Sequence, residues 1–128
     1  MFEQDYIMRQ IKEITAVMAK VLFNAKVEDS FVMLQEAENQ QVFNLVEMTR
    51  NGKLKDAVEE VDRLTDNNTK ENLMIGLSFY NYLNDIPEYI FTENEYNSAR
   101  LRRDFRKFVN KYGLSQMTDL YFGNDNDE

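Results

Sequence analysis

Two reactive residue types are missing from this chain, because its 128 residues include neither cysteine nor histidine. Without cysteine there are no disulfides, no thiolate nucleophiles and no thiolate metal ligands. Without histidine the chain lacks the commonest general base and the commonest ligand of transition metals. Most familiar catalytic and metal sites are thereby excluded, and the missing cysteine suits a reducing compartment.

Turn-forming residues are scarce, with four glycines and one proline in the whole chain. This composition argues against a turn-rich β protein and favours long, uninterrupted helices. Apolar residues make up 43% and charged residues 30%, which is typical of a globular protein rather than a disordered one. The length fits one domain, which we expect over residues 1–122, followed by an acidic flexible tail over residues 123–128.

Long apolar runs are absent too, since no segment approaches the roughly 20 apolar residues that cross a bilayer. The first five residues are acidic and do not resemble a signal peptide. We therefore expect a soluble cytoplasmic protein that does not enter membranes. The net charge of −8 opposes binding to nucleic acid or to anionic lipid, except through a local basic patch.

Apolar residues recur at helical spacing in successive segments, which predicts an all-α fold. We expect five helices and a short sixth. The first covers residues 4–25, and the second begins after a cap at 29 or 30 and ends at 52. The others cover residues 53–65, 70–84 and 93–112, and the short sixth begins at 115. The apolar stripe of the first helix is expected to dock on its own domain, with a homodimer seam as the alternative. The fourth helix is apolar nearly all round, so it should be central, and Gly76 within it predicts close approach of a neighbouring helix.

Three boundaries carry local signals. Asn68 with Glu71 is typical of a capping box that begins the fourth helix. Pro87 breaks the chain after that helix, and Thr92 with Glu95 predicts a second capping box for the fifth.

Part of the chain resembles tetratricopeptide repeats. Residues 52–58 (Gly-Lys-Leu-Lys-Asp-Ala-Val) look like the start of a second repeat helix. In the next unit Gly76 and Phe79-Tyr80 fall where that family has its small residue and its aromatic pair, while Leu45 and Met48 match the earlier unit only in part. The resemblance spans about residues 39–105. It implies stacked antiparallel helical hairpins, and a compact orthogonal bundle is the alternative.

A second resemblance covers the whole chain. The opening Gln-Asp-Tyr-Ile-Met-Arg-Gln-Ile at residues 4–11, followed by Ala-Lys-Val-Leu-Phe at residues 19–23, is similar to a family of small all-helical bacterial proteins of unknown function. The resemblance implies the fold and a bacterial origin, and it carries no activity, ligand or site residue.

One basic stretch stands out against the acidic chain, since six of its fifteen lysines and arginines lie within residues 100–111. Arg100, Arg103, Lys107 and Lys111 should stack along one face of the fifth helix. Such a stripe could bind phosphate or an acidic protein. The alternative is that acidic residues elsewhere in the chain, together with the helix dipole, neutralise it.

Two further groups of residues are candidate sites. Aromatic residues are concentrated after position 79, mostly as core, but Tyr89 and Phe91 near Pro87 are predicted surface contacts. Glu59, Asp62 and Asp66 share one helix face, yet no calcium-loop pattern accompanies them, so we interpret them as solvated carboxylates.

No catalytic, cofactor-binding or metal-binding residues can be assigned from motifs, because the chain has no phosphate loop and no nucleophile motif. We therefore expect a non-catalytic module that binds a protein partner or a second copy of itself. One alternative is a small binder of an anionic ligand or acidic partner through residues 100–111. A carboxylate-based enzyme is a further alternative.

Overall fold

A computed structural model describes residues 2–23 and 36–113 of this chain. These residues form six α-helices and one 3₁₀ helix and contain no strand, which confirms the predicted all-α class. The elements are α1 (Phe2–Phe23), α2 (Glu36–Arg50), α3 (Leu54–Leu64), α4 (Lys70–Tyr82), a 3₁₀ turn (Leu83–Asp85), α5 (Glu88–Glu93) and α6 (Ser98–Asn110). The predicted start of the second helix, the short helix from 115 and the acidic tail lie outside the described residues.

Glycine ends α2 as its sequence predicts. Gly52 has a φ of 82°, in the left-handed region that only glycine adopts without cost. Its N–H donates to the carbonyl of Thr49 at 3.1 Å, and the N–H of Lys53 donates to that of Met48 at 2.8 Å. This pair of bonds is the Schellman motif, and it turns the chain directly into α3.

Helix α4 is the centre of the fold, as its apolar composition predicts. Eight consecutive residues, 73–80, are buried, and α4 packs against α1, α2 and α3. At Gly76 an added Cβ would overlap the ring of Phe108, which confirms that a neighbouring helix, here α6, approaches closely at this position. The cap of α4 is Thr69, whose hydroxyl accepts from the Asn72 N–H at 3.1 Å, so the predicted capping box beginning at Asn68 is wrong by one residue.

Helix α1 packs against α4, the 3₁₀ turn and α6. Its apolar stripe is buried within the one chain, with Ile11, Ile14 and Met18 at 0% exposure. This confirms that the first helix docks on its own domain. Helices α2 and α3 pair with each other, and α2 also packs on α4. Helices thus surround α4 on several sides, and stacking of the tetratricopeptide kind stays a prediction.

The segment after Pro87 differs from its prediction. Pro87 caps the start of a separate helix, α5, which was not predicted, and a helix start tolerates the missing N–H and the fixed φ of proline. Thr92 belongs to the end of α5, so a fifth helix that begins after a Thr92 cap is wrong. Glu95, at φ 53°, ends α5 in the left-handed conformation, and α6 begins after Asn97, whose side chain accepts from the Arg100 N–H at 2.8 Å.

Candidate functional site

The basic residues of α6 face two different environments. Arg100 and Lys107 line a cleft of about 190 Å³ between α3 and α6, which we call the α3–α6 cleft. Lys111 follows the last turn of α6 and forms ion pairs with Asp62 at 2.8 Å and Asp66 at 2.7 Å. Arg103 is exposed and forms no ion pair with the part of the chain that the structure describes. The stripe predicted on one helix face is therefore divided.

An ion pair joins Asp62 of α3 to Lys111 at the end of α6. Burial alone would raise the pKa of Asp62, but the hydrogen bond and charge of Lys111, with a smaller contribution from Lys107 at 3.5 Å, lower it below its ordinary value. Burial also opposes the charge of Lys111, yet its bonds to Asp62 and Asp66 raise its pKa. Arg100 also lies 3.9 Å from Asp104, so three of the four predicted basic residues form ion pairs with acidic residues of the same chain.

A tyrosine and a carboxylate form the other wall of the α3–α6 cleft. Tyr96 is 2% exposed, and its hydroxyl donates to Asp104 Oδ2 at 2.6 Å. The guanidinium carbon of Arg100 lies 5.5 Å from the centre of the Tyr96 ring, and its Nε is 3.9 Å from the same carboxylate oxygen. That separation is too long for a hydrogen bond, and this buried Nε has no hydrogen-bond partner.

Tyr80 of the central helix also lines the cleft while being only 1% exposed. Its ring packs edge-on against Phe105 at 5.0 Å and stacks on Phe108 at 5.3 Å. Burial, and then the negative charges of Asp104 and Asp62, raise the pKa of Tyr80 well above its ordinary value. The hydroxyl therefore stays protonated, and it forms no hydrogen bond within the described residues.

A second site surrounds Tyr89, which is 59% exposed and among the most exposed large apolar side chains of the described residues. It borders a groove of about 320 Å³ between the end of α2 and the turn that leads into α5. We call this the Tyr89 surface, and it is lined by Arg50, Tyr82, Asp85, Ile86, Pro87, Tyr89 and Ile90.

Arg50 and Tyr82 form the opposite side of the Tyr89 surface. The Nε of Arg50 donates to the Tyr82 hydroxyl, and its guanidinium carbon lies 5.5 Å from the centre of that ring. The two residues are 32 positions apart, so no local pattern links them, and sequence reasoning missed both. Only the packing of α2 on α4 brings them together.

Phe91 is buried, at 3% exposure, so its predicted surface position is wrong. Within the six residues of α5, Ile90 and Phe91 face the core and Tyr89 faces solvent. Phe91 instead lines the inner wall of a groove of about 360 Å³ between α1 and the 3₁₀ turn. This α1 groove and the Tyr89 surface share Ile86, so together they flank the corner formed by residues 83–91.

The acidic candidates do not gather into a metal site. Within residues 2–23 and 36–113, no three carboxylates or other ligand residues come together in a way that could hold an ion. Glu59 and Asp62 line the α3–α6 cleft, and Asp66 pairs with Lys111. Within the same ranges, no helix has both the length and the apolar character required to cross a bilayer.

The chain matches the model of a known protein family. The model of a family of unknown function, DUF6483, matches residues 1–113, which is most of the chain. The chain therefore belongs to this family, in agreement with the resemblance seen in its N-terminal segment. Neither a search of curated proteins nor a search of solved structures returned a match.

Proposed function

We propose that this member of the family is a non-catalytic cytoplasmic module that binds another protein, and that the Tyr89 surface is its contact. The observation that carries the proposal is the exposure of Tyr89, at 59%, beside a groove bounded by an arginine stacked on a second tyrosine. Tyrosine and arginine are enriched among the residues that dominate binding energy at protein interfaces.

The position of Tyr89 on a rigid element supports this assignment. Ile90 and Phe91 anchor α5 in the core, at 4% and 3% exposure, so the neighbouring ring is presented with little freedom of its backbone. A side chain already held in its binding geometry loses less entropy when a partner binds. The adjoining α1 groove extends the contact area toward the roughly 800 Å² per partner of an ordinary interface.

The charge of the chain favours a different protein over a second copy. Two copies would each carry a net charge of −8, which opposes their association, whereas a partner with a positively charged face would be attracted. We therefore propose a partner that is basic around its contact and inserts an apolar side chain beside Tyr89. The absence of histidine and cysteine supports a role without chemistry.

The ion pairs of Lys107 and Lys111 count against the alternative of an anionic ligand on residues 100–111. Both lysines lie within 4 Å of Asp62, at 3.5 and 2.8 Å, so their charge is already compensated. Of the four predicted residues, Arg103 alone is both exposed and without an ion pair to the described part of the chain. A single arginine is a weak phosphate site.

The proposal is tested by titrating the purified partner, recovered from native cytosol on the full chain, against matched variants. We expect Tyr89→Ala to weaken binding about 30-fold or more, the effect of losing about 2 kcal/mol at an interface hot spot. Tyr6→Ala is the control, since Tyr6 is 56% exposed and lies outside the groove. Equal binding by wild type and Tyr89→Ala would contradict the proposal, as would failure to recover any partner.

Mass in solution separates the two kinds of partner. A mass that stays at 15.2 kDa at all concentrations agrees with a module for a different protein. A mass that doubles with concentration, and returns to the monomer in Tyr89→Ala, would assign the surface to a second copy and overturn the proposal of a basic partner.

A further inference from the structure

The lining of the α3–α6 cleft is balanced in charge. It contains three cations, Lys55, Arg100 and Lys107, and three carboxylates, Glu59, Asp62 and Asp104. Val58 and Phe108 add an apolar wall. A cleft of this composition favours neither a plain anion nor a plain cation, because each would meet charges of its own sign within the same small space.

Two hydrogen-bond donors in this cleft have no partner. Tyr80 is only 1% exposed, and its hydroxyl forms no hydrogen bond within the described residues. The buried Nε of Arg100 is likewise unsatisfied. Most buried donors in folded proteins have a partner, so the unsatisfied Arg100 Nε calls for an explanation. The Tyr80 hydroxyl lines the same cleft and is a second donor without a partner in the described part of the chain. Both can donate to an oxygen of a ligand.

Acceptors lie beside these donors. Asp104 accepts from Tyr96 through only one of its oxygens, Oδ2, at 2.6 Å. Asp104 and Asp62 line the same cleft as Tyr80. Asp62 is already paired with Lys107 and Lys111, but Asp104 would repel a ligand that offers only a carboxylate to these donors. A ligand that also carries a positive charge would avoid this repulsion.

We propose that the α3–α6 cleft binds a small free α-amino acid as a zwitterion. The Tyr80 hydroxyl and the Arg100 guanidinium donate to its carboxylate, and its ammonium group donates to Asp104. The volume of about 190 Å³ fits one residue with a short side chain, which would lie against Val58 and Phe108. This site is separate from the Tyr89 surface, so each assignment can fail without the other.

The test is a titration of the full chain with L-alanine and L-valine, followed through the tyrosine ring signals by NMR. We expect saturable shifts of Tyr80 and Tyr96 with the free amino acids. We expect none with the N-acetyl derivatives or the methyl esters, each of which lacks one of the two charges. Equal binding of an acetylated form would show an anion site and overturn the proposal, and equal binding of an ester would show a cation site and do the same.

Single substitutions test whether Tyr80 and Arg100 bind the amino acid. Tyr80→Phe removes only the unpaired hydroxyl and keeps the ring contacts, so it should fold normally and weaken binding at least tenfold. Tyr112→Phe is the matched control, because its hydroxyl donates to the Thr69 carbonyl at 3.0 Å and does not line the cleft. Arg100→Gln should weaken binding as well. No shift with either amino acid at millimolar concentration would mean that the cleft holds only water, and the proposal would be wrong.

Discussion

The α3–α6 cleft and the Tyr89 surface differ in how their side chains are paired and exposed. At the cleft, charged residues that looked available in the sequence are paired across helices, as Lys107 is with Asp62 at 3.5 Å. At the Tyr89 surface, an aromatic residue that could have been core stays 59% exposed. A run of charged residues in this sequence is therefore a poor guide to which side chains lack a partner within the chain.

The largest expected effect is on the free energy of unfolding, which should fall much more for a substitution on the inner face of α6 than for one at the Tyr89 surface. Phe105→Ala should lower the free energy of unfolding by about 3–5 kcal/mol, because Phe105 is 0% exposed and its removal leaves a cavity beside Tyr80. Tyr89→Ala, the matched aromatic change, should alter it by less than about 0.5 kcal/mol. Urea unfolding followed by circular dichroism measures both, and Phe105→Leu serves if the alanine variant does not fold. Equal losses at the two positions would contradict the distinction.

Gly76→Ala tests the close contact of α4 with α6. Alanine improves helix propensity by about 1 kcal/mol, but overpacking against the buried Phe108 ring costs up to about 3 kcal/mol, so a net loss of about 2 is expected. In the double variant with Phe108→Leu the loss should be smaller than the sum of the two single losses, because the smaller side chain leaves room for the methyl group. A stabilised Gly76→Ala variant, or strictly additive losses, would show that the contact is loose.

Lys111→Met should cost about 1–2 kcal/mol of unfolding free energy. Its side chain is only 17% exposed, and it holds Asp62, Asp66 and the main chain of α3 together. Arg103→Met is the control and should change stability by less than about 0.5 kcal/mol, because Arg103 is exposed. Thermal unfolding of the two variants gives the comparison. Losses of equal size would mean that the basic residues of α6 are not divided as described.

The same ion pair predicts a pH dependence of smaller size. The pKa of Asp62 is lowered in the fold, so its contribution is present above its ordinary value of 3.8 and is lost as pH falls through the folded value. The pKa of Lys111 is raised, so its contribution is present below 10.5 and is lost as pH rises through the folded value.

The stability difference between wild type and Lys111→Met should therefore be flat between about pH 5 and 9 and should shrink on both sides. The change should stay below about 1 kcal/mol, because the Asp62 side chain is 37% exposed and solvent screens the pair. Urea unfolding across this pH range measures it. A difference that grows toward low pH would contradict the assigned direction for Asp62.

Much of the fold follows from the sequence, because helical spacing of apolar residues is a local signal. The stripe of α1, the turn at Gly52 and the buried centre at α4 were all predictable from residues near one another in the chain. The segment from Pro87 to Asn97 was not, because it depends on Glu95 adopting a positive φ of 53°, a conformation that glutamate rarely favours.

The sites were predictable only in part, for a related reason. Tyr89 was identified as exposed because it follows the single proline. Its neighbours Arg50 and Tyr82 were not identified from the sequence. A contact across 32 positions depends on how helices pack and leaves no periodic signal. The pairing of Lys111 with Asp62, across 49 positions, divided the basic residues in the same unpredictable way.

The most direct test of the account places a benzophenone amino acid at position 89 or at position 103, both exposed, and irradiates intact cells that express the full chain. We expect a crosslink to one defined basic protein from position 89 and none from position 103. The comparison requires that both labelled chains fold equally well. A crosslink from position 103 alone, or the same product from both positions, would contradict the assignment of binding to the Tyr89 surface.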